Sequence, residues 1–107
     1  RASLALFTRH PEITAIFCAL DNIAIEALKV AQDLGRRVPD DLSIIGFDGI
    51  DLSAMVRPAI TTIYLNQFNM GQLAVRMLQQ RLHNPGFPQI ISSVPYRLIE
   101  RESIRSI

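Results

Sequence analysis

The sequence contains no tryptophan, a single cysteine and only five glycines in 107 residues. No glycine takes part in a GxGxxG or GxxxxGK pattern, which excludes the phosphate loops that such motifs mark. The cysteine, Cys18, lies inside the apolar run TAIFCAL and has no partner for a disulfide within the chain. We therefore expect a buried thiol in a protein of a reducing compartment, the cytoplasm.

Charge of one sign and long hydrophobic runs are also lacking. Lysine and arginine number 11 against 10 aspartate and glutamate residues, whereas nucleic-acid interfaces are strongly basic. Any contact with DNA is therefore expected from another segment. No apolar stretch is long enough to span a bilayer, so no membrane partner is expected. The chain opens on RASLALF, without a methionine and within a helical pattern, from which we expect a fragment of a longer protein.

Catalytic and metal-binding patterns are missing as well. His10 and His83 lie near predicted helix ends without a cysteine or carboxylate at ligand spacing, which disfavours a metal site. No serine stands in a nucleophile elbow, and a cysteine inside a strand is a poor nucleophile. We expect neither an enzyme nor a bound cofactor.

What the sequence does have is an alternation of apolar runs and helical patterns, within the length of one domain. Continuous apolar runs are typical of strands buried on both faces of a parallel sheet. Strand, helix and strand in succession indicate a βαβ unit, so the expected fold class is α/β. The predicted helices are Ala2–Arg9, Asp21–Leu34, Ile50–Val56 and Phe68–His83. The predicted strands and extended stretches are Ile13–Ala19, Leu42–Phe47, Thr61–Leu65, Gln89–Val94 and Tyr96–Glu100.

The helix from Asp21 to Leu34 has the clearest boundaries, because Asp21 is a favourable N-cap and Gly35 suits the left-handed position that follows a helix. Helical periodicity places Ile25 outside the core face and Leu28 at its margin. An exposed Ile25 indicates either a partner surface or a staple to Leu20, and both interpretations stay open. The expected core face consists of Ile23, Ala24, Ala27, Val30, Ala31 and Leu34. In the helix from Phe68, the expected core face consists of Met70, Leu73, Ala74, Met77, Leu78 and Leu82.

Two carboxylates follow predicted strands directly, Asp21 after the first and Asp48 after the second. In a parallel sheet both would lie at the same edge, where open α/β folds bind ligands. For Asp21 we favour the role of a helix cap, and Asp51 is expected to cap the short helix in the same way. Asp48 opens a loop, which favours ligand contact over the alternative of a turn residue.

Three stretches occur in a specific order and spacing: LGRRVPDDLSIIGFD, then RPAITTI, then MGQLAV at the start of a helix. Through them the chain resembles the lactose/galactose-repressor (LacI/GalR) family of bacterial transcription regulators, from about Ile13 to Ser103. The resemblance implies part of a periplasmic-binding-protein-like type I domain, in which each lobe is a three-layer structure around a parallel sheet. Residues of about 1–64 and 90–107 would form the C-terminal lobe, and about 65–89 would cross into the N-terminal lobe.

The resemblance also implies site residues. Asp48 matches the aspartate that commonly binds the effector, a sugar or a nucleobase, and Asp21 lies beside it. Leu20 and Leu65 stand where many members have polar groups, which favours either a ligand with an apolar face or a shifted binding pose. The family forms homodimers through positions that correspond to Ile25, Leu28, Lys29, Met55 and Val56.

The function implied is that of the effector-sensing domain of a cytoplasmic regulator, whose operator is bound by a helix-turn-helix domain absent from this chain. The alternative on the same fold is a periplasmic solute-binding protein that serves a transporter. RPAITTI after the short helix favours the regulator. A third hypothesis, an enzyme on a related sheet, lacks a nucleophile or an acid–base pair.

Overall fold

The computed structural model describes residues 2–106. In those residues the helices are α1 (Ala2–Arg9), α2 (Asp21–Asp33), α3 (Asp51–Met55) and α4 (Gln67–His83). The strands are β1 (Ala15–Phe17), β2 (Ser43–Asp48), β3 (Thr61–Leu65) and β4 (Tyr96–Ile99). The chain divides into two compact units, of which the second is Leu65–Tyr96 and the first comprises the residues before and after it.

The four strands form one sheet in the order β1-β2-β3-β4. β2 runs parallel to both β1 and β3, with Ala15 opposite Ser43 and Asp48 opposite Tyr64. Helices α2 and α3 make the two connections between these parallel strands. The predicted α/β class is confirmed, and the carboxyl ends of β1, β2 and β3 meet at one edge.

The core of the first unit lies between α2 and the sheet. α2 contributes three alanines on one side, and such small side chains allow a helix to pack close to a strand. Cys18 is buried here, as predicted from its apolar run. The buried apolar residues of this core are Phe7, Cys18, Ala24, Ala27, Leu28, Ala31, Leu42, Ile44 and Ile60.

The buried face of α2 is rotated relative to the one expected. Leu28 is only 3% exposed, whereas Ile23 and Leu34 are 42% and 45% exposed. The placement of Leu28 at the margin and of Ile23 and Leu34 in the core was therefore wrong. The reason is that α1, β2 and α3 all pack against α2, so its covered side is not the one that a single apolar stripe predicts.

The predicted strand boundaries were partly wrong. β1 begins at Ala15, not Ile13, because its neighbour β2 begins at Ser43 and leaves earlier residues without a ladder partner. The predicted extended stretch Gln89–Val94 forms no strand among residues 2–106. Prolines at positions 88 and 95 flank it and cannot donate to a ladder. β3 has the predicted bounds.

The second unit contains α4, whose N-cap is Asn66: the Asn66 side chain accepts a hydrogen bond from the Asn69 amide at 3.0 Å. The cap explains why α4 begins at Gln67, one residue before the predicted start. No residue of α4 is buried, so the prediction that its methionines and leucines form core was wrong. None of the helices within residues 2–106 combines the length and apolar character needed to traverse a bilayer.

The segment after β4 joins β2 to β3 through Ser103, which is fully buried. The Ser103 hydroxyl donates to the Ile44 carbonyl and accepts from the Thr61 amide at 2.8 Å. The Ser103 backbone carbonyl accepts from the Ile44 amide at 2.8 Å, and its amide donates to Ala59 at 3.0 Å. One serine therefore holds both strands on the side opposite to their carboxyl ends.

Ser103→Ala should destabilise the fold by about 1–3 kcal/mol, because it leaves a buried amide and a buried carbonyl without their partner. Ser106→Ala is the matched control, since Ser106 is exposed and its removal should change stability by less than about 0.5 kcal/mol. Urea unfolding of both variants measures the difference. Equal midpoints for the two would contradict the structural role of Ser103.

Candidate functional site

Asp48 is the last residue of β2 and lies at the carboxyl edge of the sheet. Its backbone φ is 109°, in the region that L residues seldom adopt. The side chain is half-buried and makes no hydrogen bond or ion pair with any residue between 2 and 106. A strained backbone that carries an unpaired carboxylate is a feature that clusters at ligand sites.

The turn that follows Asp48 depends on Gly49. Gly49 has φ 73°, and a Cβ added to it would lie 2.7 Å from Cδ2 of Tyr64. Both the backbone conformation and the close approach of the Tyr64 ring therefore require glycine. Two consecutive residues with positive φ turn the chain from β2 into α3, which begins at Asp51.

The Asp21 side chain holds this turn through a hydrogen bond to its backbone. Its side chain is fully buried at the start of α2. One carboxylate oxygen, Oδ2, accepts from the Ile50 amide at 2.9 Å, and the other, Oδ1, accepts from the Thr62 hydroxyl at 2.6 Å. The Thr62 oxygen in turn accepts from the Gly49 amide at 3.3 Å. The start of α2, the turn after β2 and the second residue of β3 are thus joined by one carboxylate.

The prediction that Asp21 caps α2 was wrong. Leu20 is the N-cap, with no side-chain hydrogen bond, and its carbonyl accepts from the amides of Ile23 and Ala24, both at 3.1 Å. Asp21 is the first helical residue, where a negative charge is still favourable to the helix dipole. Likewise Asp51 is not a cap, because α3 is preceded by Ile50. An aspartate that follows a strand predicts a cap from local sequence alone, and the contacts of Asp21 are long-range.

The other predicted ligand residues lie in different environments. Leu20 is 45% exposed at the carboxyl end of β1. Leu65 ends β3 and belongs to the second unit. Cys18, near Leu20, is buried, and this burial raises the pKa of its thiol above the ordinary value, which keeps it a neutral packing group at physiological pH.

Tyr64 and Arg97 are further residues near this edge that the sequence did not indicate. Tyr64 is opposite Asp48 in the parallel register. The Arg97 guanidinium lies 4.9 Å from the centre of the Tyr64 ring, within the range of a cation–π contact. An arginine in a β-strand has no local signature that connects it with a tyrosine more than thirty positions earlier.

The predicted interface residues do not share one environment. Lys29 and Met55 are exposed, Met55 to 71%, and Lys29 pairs with Asp33 at 3.6 Å. Ile25 and Val56 are half-buried and pack against the core, while Leu28 is part of it. The Gln32 side chain donates to the Arg57 carbonyl at 2.9 Å, which joins the ends of α2 and α3.

Two residues that shape the site carried a sequence signal that was not used. Gly46 interrupts the apolar run SIIGFD, and a glycine inside a strand often marks a close approach. A Cβ at position 46 would lie 2.1 Å from Oδ1 of Asp21. Thr62 belongs to a pair of threonines in a buried strand, where hydroxyl groups need partners.

The sequence profile of the periplasmic binding protein-like domain matches residues 1–104. The ribose operon repressor of Haemophilus influenzae is 38% identical over 103 residues, which are 96% of this chain and 31% of that repressor. The PurR transcriptional repressor of Photorhabdus laumondii is 41% identical over 91 residues, 85% of this chain and 27% of that protein. The chain thus spans less than a third of the length of these two relatives.

Solved structures of LacI family regulators share the fold of this chain. A LacI family transcriptional regulator from Enterococcus faecalis with bound ribose superposes with a TM-score of 0.83 at 32% identity, covering 95% of this chain and 39% of that one. A LacI family regulator from Arthrobacter in complex with lactose gives a TM-score of 0.78 at 36% identity, covering 97% of this chain and 40% of that one.

Gly46→Ala should destabilise the protein by about 1–3 kcal/mol, because the added methyl group collides with the buried Asp21 carboxylate. Gly71→Ala is the control: it lies in α4 with no heavy atom within 4 Å of its added Cβ, so this change should stabilise by about 0.5–1 kcal/mol. Thermal unfolding should move in opposite directions for the two variants. A Gly46→Ala variant as stable as the parent would contradict the close approach.

Proposed function

The chain belongs to the periplasmic binding protein-like domain family, among its LacI-type members, and from this premise we propose that it senses a small-molecule effector for a transcription regulator. The observation that carries the proposal is the Asp48 carboxylate at the carboxyl edge of the parallel sheet, which has no hydrogen-bond or ion-pair partner among residues 2–106. Ligands of open α/β folds bind at this edge. The relatives are repressors, which favours a regulator over a solute-binding protein for transport and over an enzyme.

The chain would supply the C-terminal part of the effector-binding domain. We assign residues of about 1–64 and 90–107 to its C-terminal lobe and about 65–89 to the crossing into the N-terminal lobe. The start of the second compact unit at Leu65 supports the first boundary of this assignment, whereas that unit extends to Tyr96 and includes residues 90–96. Operator DNA would be bound by a separate helix-turn-helix domain, because the positive and negative charges of this chain are balanced. The regulator would act in the cytoplasm.

The effector proposed is a sugar or a molecule of similar size with hydroxyl or amine donors on one side. A carboxylate accepts two such donors at once, which suits Asp48 to this task. The exposed Leu20 adds an apolar surface at the same edge, which fits the C–H face of a sugar ring or a nucleobase. Asp21, fully buried, would act on the effector through the turn rather than by touching it.

Dimerisation is proposed through α2 and α3. Met55 presents the most exposed apolar side chain of these helices. Ile25 and Lys29 lie on α2 and Val56 directly follows α3, with Leu28 in the core beneath them. The turn that carries Asp48 leads into α3 within three residues. An effector bound to Asp48 would thus act next to the proposed interface, which suits a two-fold regulator.

Asp48→Asn in the full-length protein should weaken effector binding by roughly tenfold to a hundredfold, because a hydrogen bond to a charged acceptor is lost. Calorimetric titration with D-ribose, lactose, cellobiose and purine bases identifies the effector and measures the loss. Asp51→Asn is the matched control, since Asp51 is exposed three residues later. Unchanged affinity in Asp48→Asn would exclude its role as a ligand residue.

Met55→Glu should shift the protein toward monomer in analytical ultracentrifugation, because a charge would replace an apolar group at the proposed interface. The folding cost should be small, as Met55 is 71% exposed. Met70→Glu provides the control with an exposed methionine of the second unit. If Met70→Glu dissociates the assembly and Met55→Glu does not, the interface lies elsewhere.

A further inference from the structure

We propose that Asp21 and Thr62 are positioning residues that fix the direction of the Asp48 carboxylate. This inference rests on the proposed role of Asp48 in effector binding. It adds two buried side chains that hold the turn after Asp48 in place. Neither Asp21 nor Thr62 is exposed to solvent, so each would act on the effector only through the backbone of the turn.

The contacts converge on the two amides that follow Asp48. The Gly49 amide donates to the Thr62 hydroxyl oxygen at 3.3 Å, and the Ile50 amide donates to Asp21 Oδ2 at 2.9 Å. These amides follow a residue with φ 109°, a conformation that persists only where the surroundings impose it. The two hydrogen bonds supply that constraint directly after the strained residue.

The chemistry of the pair fixes the direction of each hydrogen bond. An ionised carboxylate only accepts, so Asp21 can receive both the Ile50 amide and the Thr62 hydroxyl. The Thr62 hydroxyl donates its hydrogen to Asp21 Oδ1, with 2.6 Å between the two oxygens. The lone pairs of the hydroxyl oxygen therefore remain to accept from the Gly49 amide. Removal of the hydroxyl therefore affects two bonds, and only one of them involves Asp21.

The close packing of Asp21 against β2 also supports a positioning role for Asp21. Gly46 of β2 leaves the space that Asp21 occupies, because an added Cβ would lie 2.1 Å from Oδ1. Gly46 and Thr62 are opposite each other in the parallel register, two residues before the opposed pair Asp48 and Tyr64. Asp21 therefore packs against β2 two residues before the strained Asp48.

The test is amide hydrogen exchange of the uniformly labelled protein by NMR, which requires no effector. Thr62→Val keeps the side-chain shape and removes the hydroxyl. The Gly49 amide should exchange about tenfold faster, because it loses its acceptor. The three-bond HN–Hα coupling of Asp48, which reports φ, should change together with it. Thr62→Ser retains the hydroxyl and should restore exchange to within about twofold of the parent.

Thr61→Val is the matched control from the same strand. Thr61 is equally buried, but its hydroxyl accepts from the Arg101 amide at 2.9 Å and not from the turn. After correction for any change in global stability, Thr61→Val should leave the exchange rate of the Gly49 amide and the Asp48 coupling at the values of the parent protein. If Thr61→Val accelerates Gly49 as much as Thr62→Val, or if Thr62→Ser fails to restore it, the positioning role is wrong.

The outcomes separate this inference from the proposed function. Accelerated Gly49 exchange in Thr62→Val supports the positioning role, whatever the effector is. An Asp48→Asn variant that binds effector normally would refute the ligand role while leaving the exchange result intact. Unchanged exchange in Thr62→Val would refute the positioning role alone.

Discussion

The buried carboxylate of Asp21 is the interaction on which this edge of the sheet depends. A buried carboxylate is costly unless its oxygens are hydrogen-bonded, and here each oxygen has one donor, the Ile50 amide and the Thr62 hydroxyl. Its donors come from two different parts of the chain, 29 and 41 positions away. The cost of burial is therefore offset only when α2, the turn and β3 are all in place. This makes the site a property of the packed unit and not of the loop alone.

The opposite end of the strands is held by the same principle. Ser103 binds Ile44 and Thr61, and the Arg101 side chain donates to the Ser53 hydroxyl and the Ile60 carbonyl at 2.9 and 2.7 Å. Ser53 belongs to α3, the helix proposed for the interface. The first two residues of β3 are thus held from different sides, Thr61 by the final segment and Thr62 by Asp21. The turn between Asp48 and α3 lies between two sets of buried polar contacts.

The sequence predicted those parts of the fold that depend on local pattern. The bounds of β3 and α1 and the parallel βαβ order followed from apolar runs and breaking residues. Asp48 was predicted as a ligand residue because it ends an apolar strand; this role stays a prediction, and the positive φ of Asp48 is consistent with it. The role of Asp21 was misjudged, because a helix cap and a long-range hydrogen-bond acceptor have the same sequence signature.

Leu28 was misplaced because three elements cover α2, and periodicity assumes one covered side. The apolar face predicted for α4 is not buried in the described chain, since periodicity predicts which residues share a face and not what covers them.

The most direct measurement of the central claim is the scalar coupling across the hydrogen bond between the Ile50 nitrogen and the Asp21 side-chain carboxyl carbon. NMR of the protein labelled with carbon-13 and nitrogen-15 detects such a coupling only where the amide donates to that carboxylate. The structure predicts a resolved coupling for this pair, comparable to those across the backbone ladder of β2 and β3. Its absence in spectra that show the ladder couplings would contradict the claim that Asp21 holds the turn.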